Sequence, residues 1–229
     1  MRYKPEDPKW PDRDKLVCSK GHAGPAVYAT LALKGFFPYE VLKSLNQPGT
    51  NLPSHCDKNK TPGVDMTTGS LGQGTSLAVG LALGDKLAGR DSRTFLIVGD
   101  GELNEGQCWE AAMFTAGKRL TNITWIIDNN KRQLDGWTKN VLEPFDFEEK
   151  FRAFGWHVIV IDGHDFDQIE AAYNEAKTVK GQPTLILAKT VKGKGVSYME
   201  NKAGWHGKAP NADEYAQGVA ELNAYIATL

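Results

Sequence analysis

Two short motifs carry the strongest chemical signal in this 229-residue chain: Gly99-Asp100-Gly101 and Asn129-Asn130, with twenty-seven residues between them. Each directly follows an apolar run, residues 94–98 and 123–127, of the length of a buried strand. A single strand-helix-strand unit sets the two loops side by side. The Asp100 carboxylate and the Asn130 amide oxygen can then converge on one hard divalent cation, which takes oxygen ligands and completes its shell with phosphate oxygens. Glycines flanking Asp100 let backbone approach a diphosphate closely, and amides of the helix after Gly101 can face it. Either motif alone reads as a polar turn at a strand end; together, at this spacing, they point to a metal-diphosphate site.

The five histidines divide by context. His22, His55 and His206 lie in polar loops far apart in sequence, and three such rings in one cleft exchange protons near neutral pH and donate to hydroxyls or phosphate. His157 falls in a strand pattern and reads as structural, while His164, in Asp162-Gly163-His164-Asp165, acquires no role. Glu105 and Glu110 sit five residues apart on the helix after the Gly99–Gly101 loop, and alone they read as a solvated face. Trp109 and Trp137 read as packing residues.

Around these motifs the chain alternates. A helix is expected over 23–35, a long loop over 46–68 of the kind that is usually functional or disordered, and a buried helix over 75–87. Then come strand 94–98, helix 105–118, strand 123–127, short helix 148–154, strand 157–161, helix 165–180 and strand 184–188. Four apolar strands separated by helices predict an α/β fold: a parallel sheet with helices on both faces, binding its ligand at the carboxyl ends of the strands. Residues 189–211 form a Gly- and Lys-rich stretch, and 212–228 a closing surface helix.

Charged residues at 24% and hydrophobic ones at 41% place the chain in the soluble globular class. With 27 basic against 28 acidic side chains, the net charge of -1 provides no field for nucleic acid or anionic membrane, so neither is expected as a partner. Cys18, Cys56 and Cys108 show no Cys-x-x-Cys pairing and read as free thiols. With no signal-peptide pattern and no membrane-length apolar run, a cytoplasmic protein is expected.

The paired motifs resemble the thiamine diphosphate motif, and the chain around them resembles transketolases, specifically the amino-terminal subunit of the split, two-gene form. The matching segments are Ser19-Lys20-Gly21-His22, Thr67-Thr68-Gly69-Ser70-Leu71-Gly72-Gln73-Gly74, Gly99-Asp100-Gly101-Glu102-Leu103-Asn104-Glu105-Gly106 and Trp205-His206-Gly207-Lys208-Ala209-Pro210. The resemblance implies one thiamine diphosphate-binding (PP) domain over 1–229, with 189–229 as its carboxy-terminal extension. It implies that Asp100, Asn130 and the carbonyl of Arg132 hold Mg²⁺, or Ca²⁺ or Mn²⁺ in its place. By the same token Gly99, Gly101, Glu102, Asn130, His22 and His206 touch the cofactor, and Gly69, Ser70 and Leu71 line its rings. His22, His55 and His206 take the catalytic roles, with His55 facing the substrate's hydroxyls and His206 bridging cofactor and substrate. Glu105, with Glu110, is implied at an interface between subunits.

The reaction so implied moves a two-carbon ketol unit between sugar phosphates, in company with a carboxy-terminal subunit that holds the aminopyrimidine and supplies a glutamate. A homodimer, or a heterotetramer with that partner, follows from the same resemblance, as does inactivity of the chain alone. Family subunits usually begin about two helical segments earlier, so that segment is expected to be absent and apolar surface near 27–37 exposed. Cys56 stands where the family often has proline, and Lys131-Arg132 where glycine commonly precedes the backbone ligand. Rival readings are a related ketol-transferring enzyme such as deoxyxylulose phosphate synthase, and a non-catalytic module that only binds cofactor or partner. The glycines at 69, 72 and 74 do not make the Gly-x-Gly-x-x-Gly of dinucleotide-binding proteins.

Overall fold

The computed structural model describes residues 1–228; Leu229, the last residue of the expected domain, lies outside the described residues. A five-stranded sheet is built from β1 (Lys15–Cys18), β2 (Thr94–Gly99), β3 (Ile123–Asn129), β6 (His157–Asp162) and β7 (Thr184–Lys189), in the order β1-β2-β3-β7-β6 with every neighbouring pair parallel. Between β3 and β6 runs a small antiparallel hairpin, β4 (Arg132–Gln133) with β5 (Gly136–Trp137). The helices are α1 (Gly24–Leu33), α2 (Gln73–Leu87), α3 (Gly106–Gly117), the single turn α4 (Thr138–Val141), α5 (Phe147–Ala153), α6 (Phe166–Thr178) and α7 (Ala212–Ile226).

The expected parallel sheet is therefore present, with one strand more than the apolar runs predict. β1 is four residues long and opens on a lysine, which hides its strand character. Lys15 is nonetheless buried, because its ammonium meets the Asp85 carboxylate at 2.6 Å and the Ser92 hydroxyl lies on the same carboxylate. The β4–β5 hairpin is also additional, its strands being too short for any period to register.

Connections explain the layers. The step from β2 to β3 runs one way along the sheet and the step from β6 to β7 runs the other, so right-handed crossovers place α3 and α6 on opposite faces. The face under α2, α3 and α5 carries the main core, in which Trp125, Phe151 and Trp156 meet edge to face with centroids 5.1 to 5.8 Å apart. On the opposite face α6 covers Ile161, Ile186 and Ala188 near β6 and β7. Between α6 and α1 that face stays open as a groove of about 420 Å³, walled by Leu16, Val27, Leu31, Ile97, Ile126 and Tyr173. The long loop before α2 is ordered by its own small core, in which Leu52 and Cys56 pack on Tyr28, whose hydroxyl donates to the Pro53 carbonyl at 2.8 Å.

Helix ends are capped as their sequences dictate: Asp146 and Asp165 accept from the first-turn amides of α5 and α6, and Asn211 with Glu214 closes a reciprocal capping box on α7. Among the described residues no helix is long and apolar enough to cross a membrane.

Candidate active site

All parallel strands end on one side of the sheet, and there a cleft of about 980 Å³ opens, lined by residues from the ends of β1, β2, β3, β6 and β7. Its floor is set by strand register. Gly99 pairs with Asp128, so Asp100 and Asn130 leave adjacent strands together. Asp100 is 2% exposed, and its carboxylate accepts from the Gly101 amide at 2.7 Å and the Lys131 amide at 2.5 Å. Presenting the Lys131 amide takes a left-handed backbone, φ 60°, at a residue with a side chain. Such strain persists where the surroundings over-determine it, and it collects at functional sites. The Asn130 amide oxygen accepts from the Arg132 amide at 3.0 Å, and its NH₂ donates to Asp128 at 3.2 Å.

Two carboxylates here have opposite electrostatics. Burial pushes Asp100 up to about 6, and its two backbone bonds do not offset the cost. Burial acts on Asp128 too, but contact with the Lys20 ammonium, the Thr190 hydroxyl and Asn130 outweighs it and holds Asp128 below the usual carboxylate range. The Asp100 carboxylate thus takes its hydrogen bonds from backbone amides alone, with Lys20 acting on it only from beyond contact, and it is a donor suited to a cation. Among the described residues no three His, Cys, Asp or Glu side chains form a metal cluster. A cation held here takes its protein ligands from one carboxylate, an amide and backbone oxygen, leaving positions for phosphate oxygens.

Glycines bring the walls together. A Cβ on Gly21 would lie 2.5 Å from the Thr68 carbonyl oxygen and 2.7 Å from the Gly69 nitrogen, backbone that cannot swing aside. Gly69, at φ 152°, faces the His55 ring, which a Cβ would meet at 3.0 Å. Glu102 fastens these loops from beneath: it accepts from the Ser19 hydroxyl at 2.5 Å, the Gly72 amide at 2.8 Å and the Gly99 amide at 3.1 Å. Its carboxylate is therefore turned to protein donors, a clamping role that its place in a cofactor motif does not disclose.

The three loop histidines all line this one cleft. His22 follows β1, His55 comes from the long loop, and His206 follows a short turn at Ala203–Trp205. The His22 and His206 rings face each other with centroids 5.0 Å apart, and the Lys192 ammonium lies 3.2 Å from His206 Nδ1. Burial, the facing His206 and the nearby Lys20 and Lys192 lower His22 to about 4; burial and the same lysines lower His206. Both rings are neutral at physiological pH, able to donate or accept a proton.

Gly99, Gly101, Glu102, Asn130, Arg132, Gly69 and Leu71 also wall the cleft, whereas Ser70 sits exposed on the turn between Gly69 and Leu71. Glu105 and Glu110 are exposed on and just before α3, away from the cleft. Trp109 packs on Phe147, Phe151 and Phe154 as expected, while Trp137 is 37% exposed with the Arg132 guanidinium 3.2 Å above its ring. His157 meets Glu175 at 2.5 Å at the start of the edge strand β6, the end of the strand away from the cleft. Lys20, Asp128, Lys192 and His164 line the cleft as well, although no sequence signal assigns them to it. Lys20 lies inside the Ser19–His22 segment, and Asp128 directly precedes Asn129-Asn130; Lys192 and His164 sit in segments whose place only tertiary packing reveals.

Comparison with known proteins identifies the family. The family profile described as "Transketolase, thiamine diphosphate binding domain" matches residues 1–222. The 6-deoxy-6-sulfo-D-fructose transketolase subunit SqwG of Clostridium sp. (strain MSTE9) is 53% identical over 97% of this chain and 81% of that protein. An apulose-4-phosphate transketolase subunit of Phocaeicola vulgatus is 38% identical over 100% of this chain and 81% of that protein. The crystal structure of the Pichia stipitis transketolase complex with sedoheptulose-7-phosphate superposes with a TM-score of 0.92 at 35% identity, covering 97% of this chain and 35% of that one. The chain thus spans about a third of that solved transketolase and about four fifths of the two subunits. It belongs to the transketolase family and corresponds to the thiamine diphosphate-binding, amino-terminal subunit of the family's split members.

Proposed function

We propose that this chain holds the diphosphate end of thiamine diphosphate through one divalent cation, Mg²⁺ in the first instance. Together with a separate carboxy-terminal subunit, it transfers a two-carbon ketol unit between sugars bearing a terminal anionic group. The observation that carries the reading is the buried Asp100 carboxylate, met only by backbone amides and set beside Asn130 at adjacent strand ends. Asp100, the Asn130 amide oxygen and the Arg132 carbonyl are the ligands assigned to the cation. Bound thiamine diphosphate supplies carbanion-stabilising chemistry that no side chain here provides.

The chain's own residues bind, orient and handle protons. Lys20 and Lys192 set positive charge around the diphosphate region, and the Gly21, Gly69 and Gly101 backbone allows close approach. Neutral His22 and His206 hold protons that pass to or from sugar hydroxyls at their ring nitrogens, and His55 on the opposite loop orients the same hydroxyls. Glu105 and Glu110, exposed on the α3 side, are assigned to an interface between subunits, in a homodimer or in a heterotetramer with the partner. A cytoplasmic setting goes with the three buried free cysteines, of which burial pushes Cys108 up to about 12.

For the donor, phosphate and sulfonate share the chemistry of a tetrahedral terminal anion. The 53% identity to a 6-deoxy-6-sulfo-D-fructose transketolase subunit favours including the sulfonate. The test is calorimetric titration of thiamine diphosphate and Mg²⁺ into the chain alone and mixed with its candidate partner subunit, followed by ketol transfer from fructose-6-phosphate and from 6-deoxy-6-sulfo-D-fructose. Binding or turnover that needs the partner is the expected result. Full activity of the single chain would refute the two-subunit reading, and absence of binding even with an intact partner would leave a non-catalytic pairing module.

A further inference from the structure

His164 lines the cleft, belongs to no motif, and makes one contact that reaches the catalytic rim. Its Nε2 accepts the Val191 amide at 2.8 Å, which requires a neutral ring with its proton on Nδ1. Val191 follows the point where the chain leaves β7, and the residue before it is held from the other side: the Thr190 amide donates to the Asn129 carbonyl at 3.2 Å and its hydroxyl to Asp128. The turn carrying His164 is pressed onto this exit. The Gly163 amide donates to the Lys189 carbonyl at 2.7 Å, and a Cβ on Gly163 would lie 2.4 Å from the Thr190 methyl.

Beyond Val191 the segment folds on itself. The Asn201 amide donates to the Lys192 carbonyl at 2.9 Å, and Gly193, at φ 76°, sits where a Cβ would lie 2.8 Å from Met199 backbone. The Lys192 ammonium ends 3.2 Å from His206 Nδ1. A segment so tied internally moves with its root, and its root is the Thr190–Val191 pair.

We propose that His164 is a positioning residue: by accepting the Val191 amide it sets where Lys192, and with it His206, stands in the cleft. The inference concerns the chain's own geometry, so it stands apart from the assignment of cofactor and substrate. The full chain without cofactor is used as wild type, His164→Leu and His164→Gln, with the glutamine amide oxygen able to take the place of Nε2. The readout is the NMR titration of the His206 ring, with thermal unfolding alongside.

In the leucine variant Lys192 withdraws and His206 titrates higher by about one unit, the shift expected for one charge at this separation in water. In the glutamine variant it titrates as in the wild type. An unchanged His206 in a folded leucine variant overturns the proposal, as does a glutamine variant that behaves like leucine at equal unfolding temperature. Should leucine prevent folding, His164→Asn, whose amide is too short to reach Val191, replaces it with the same two outcomes.

Discussion

The cleft has a floor and a rim, built by different means. The floor, from Asp100 to Arg132, is two loops leaving hydrogen-bonded neighbouring strands, so its main groups are fixed by pairing register and by backbone donors a few atoms away. The rim collects His22, His55 and His206 from three segments spread over nearly two hundred residues, joined by close approaches at Gly21 and Gly69, by the Glu102 clamp and by the Lys192–His206 contact. A floor made by register is robust to what happens around it, whereas a rim made by distant contacts depends on each of them. Charge follows the same division, since the floor keeps an acid driven up by burial and the rim keeps imidazoles driven down by burial and by neighbouring cations.

The largest expected effect is at the floor. Asp100→Asn keeps the shape but removes the charge, and Mg²⁺-dependent binding of thiamine diphosphate weakens by more than about 100-fold, since loss of outer-shell partners alone costs tenfold to a hundredfold. The folding of the cofactor-free chain responds in the opposite sense. The Asp100 carboxyl titrates near 6 when folded, above its ordinary 3.8, so the stability it contributes is present at low pH and is lost as pH rises through 6. The lowered His22 and His206 make stability rise with pH in both proteins, so the fall is read as a difference: urea unfolding from pH 4 to 7 shows the wild type losing stability relative to the asparagine variant. A variant that binds normally would detach the floor from the cation.

Next is the tie between floor and rim. Glu102→Gln leaves a single acceptor oxygen for three donors and sets an NH₂ against a backbone amide, at a cost of about 2 to 3 kcal/mol by urea unfolding. Loss of less than about 0.5 kcal/mol would mean that the loops hold themselves. At the rim, His206→Ala raises the His22 titration from about 4 by roughly half a unit or more, followed by NMR, because a facing ring and its share of burial are gone. No movement would assign the His22 shift to its own burial and the lysines. Smallest is Lys131→Gly, which relieves a left-handed residue and stabilises the folded chain by up to about 1 kcal/mol, while Lys131→Val destabilises it. Cation binding by the glycine variant stays at the wild-type level, since the amide that meets Asp100 is retained.

Much of the fold was legible because the four longer strands are apolar runs bounded by turn residues, and because α5, α6 and α7 open on capping side chains. The Asp100–Asn130 pairing was legible for a related reason: both groups stand directly after such runs, and adjacent parallel strands leave little freedom in where they end. β1 was not, since the charge of its lysine is compensated by Asp85, seventy residues away in sequence. Nor were the inward turn of Glu102, the opposite electrostatics of Asp100 and Asp128, or the path from His164 through Val191 to Lys192. Each is a contact between residues distant in the chain, and nothing local to either partner marks it.

The sequence by itself determined the order of the elements, the side of the sheet on which chemistry gathers, and the residue types brought there, because periodicity, strand length and crossover handedness are local or nearly local properties. Only the tertiary structure decided which carboxylate is left without a cationic partner, which imidazoles are neutral, and which side chains support others from behind. Burial and Coulomb interactions act through space, and the distances on which they depend exist only once the chain has closed on itself.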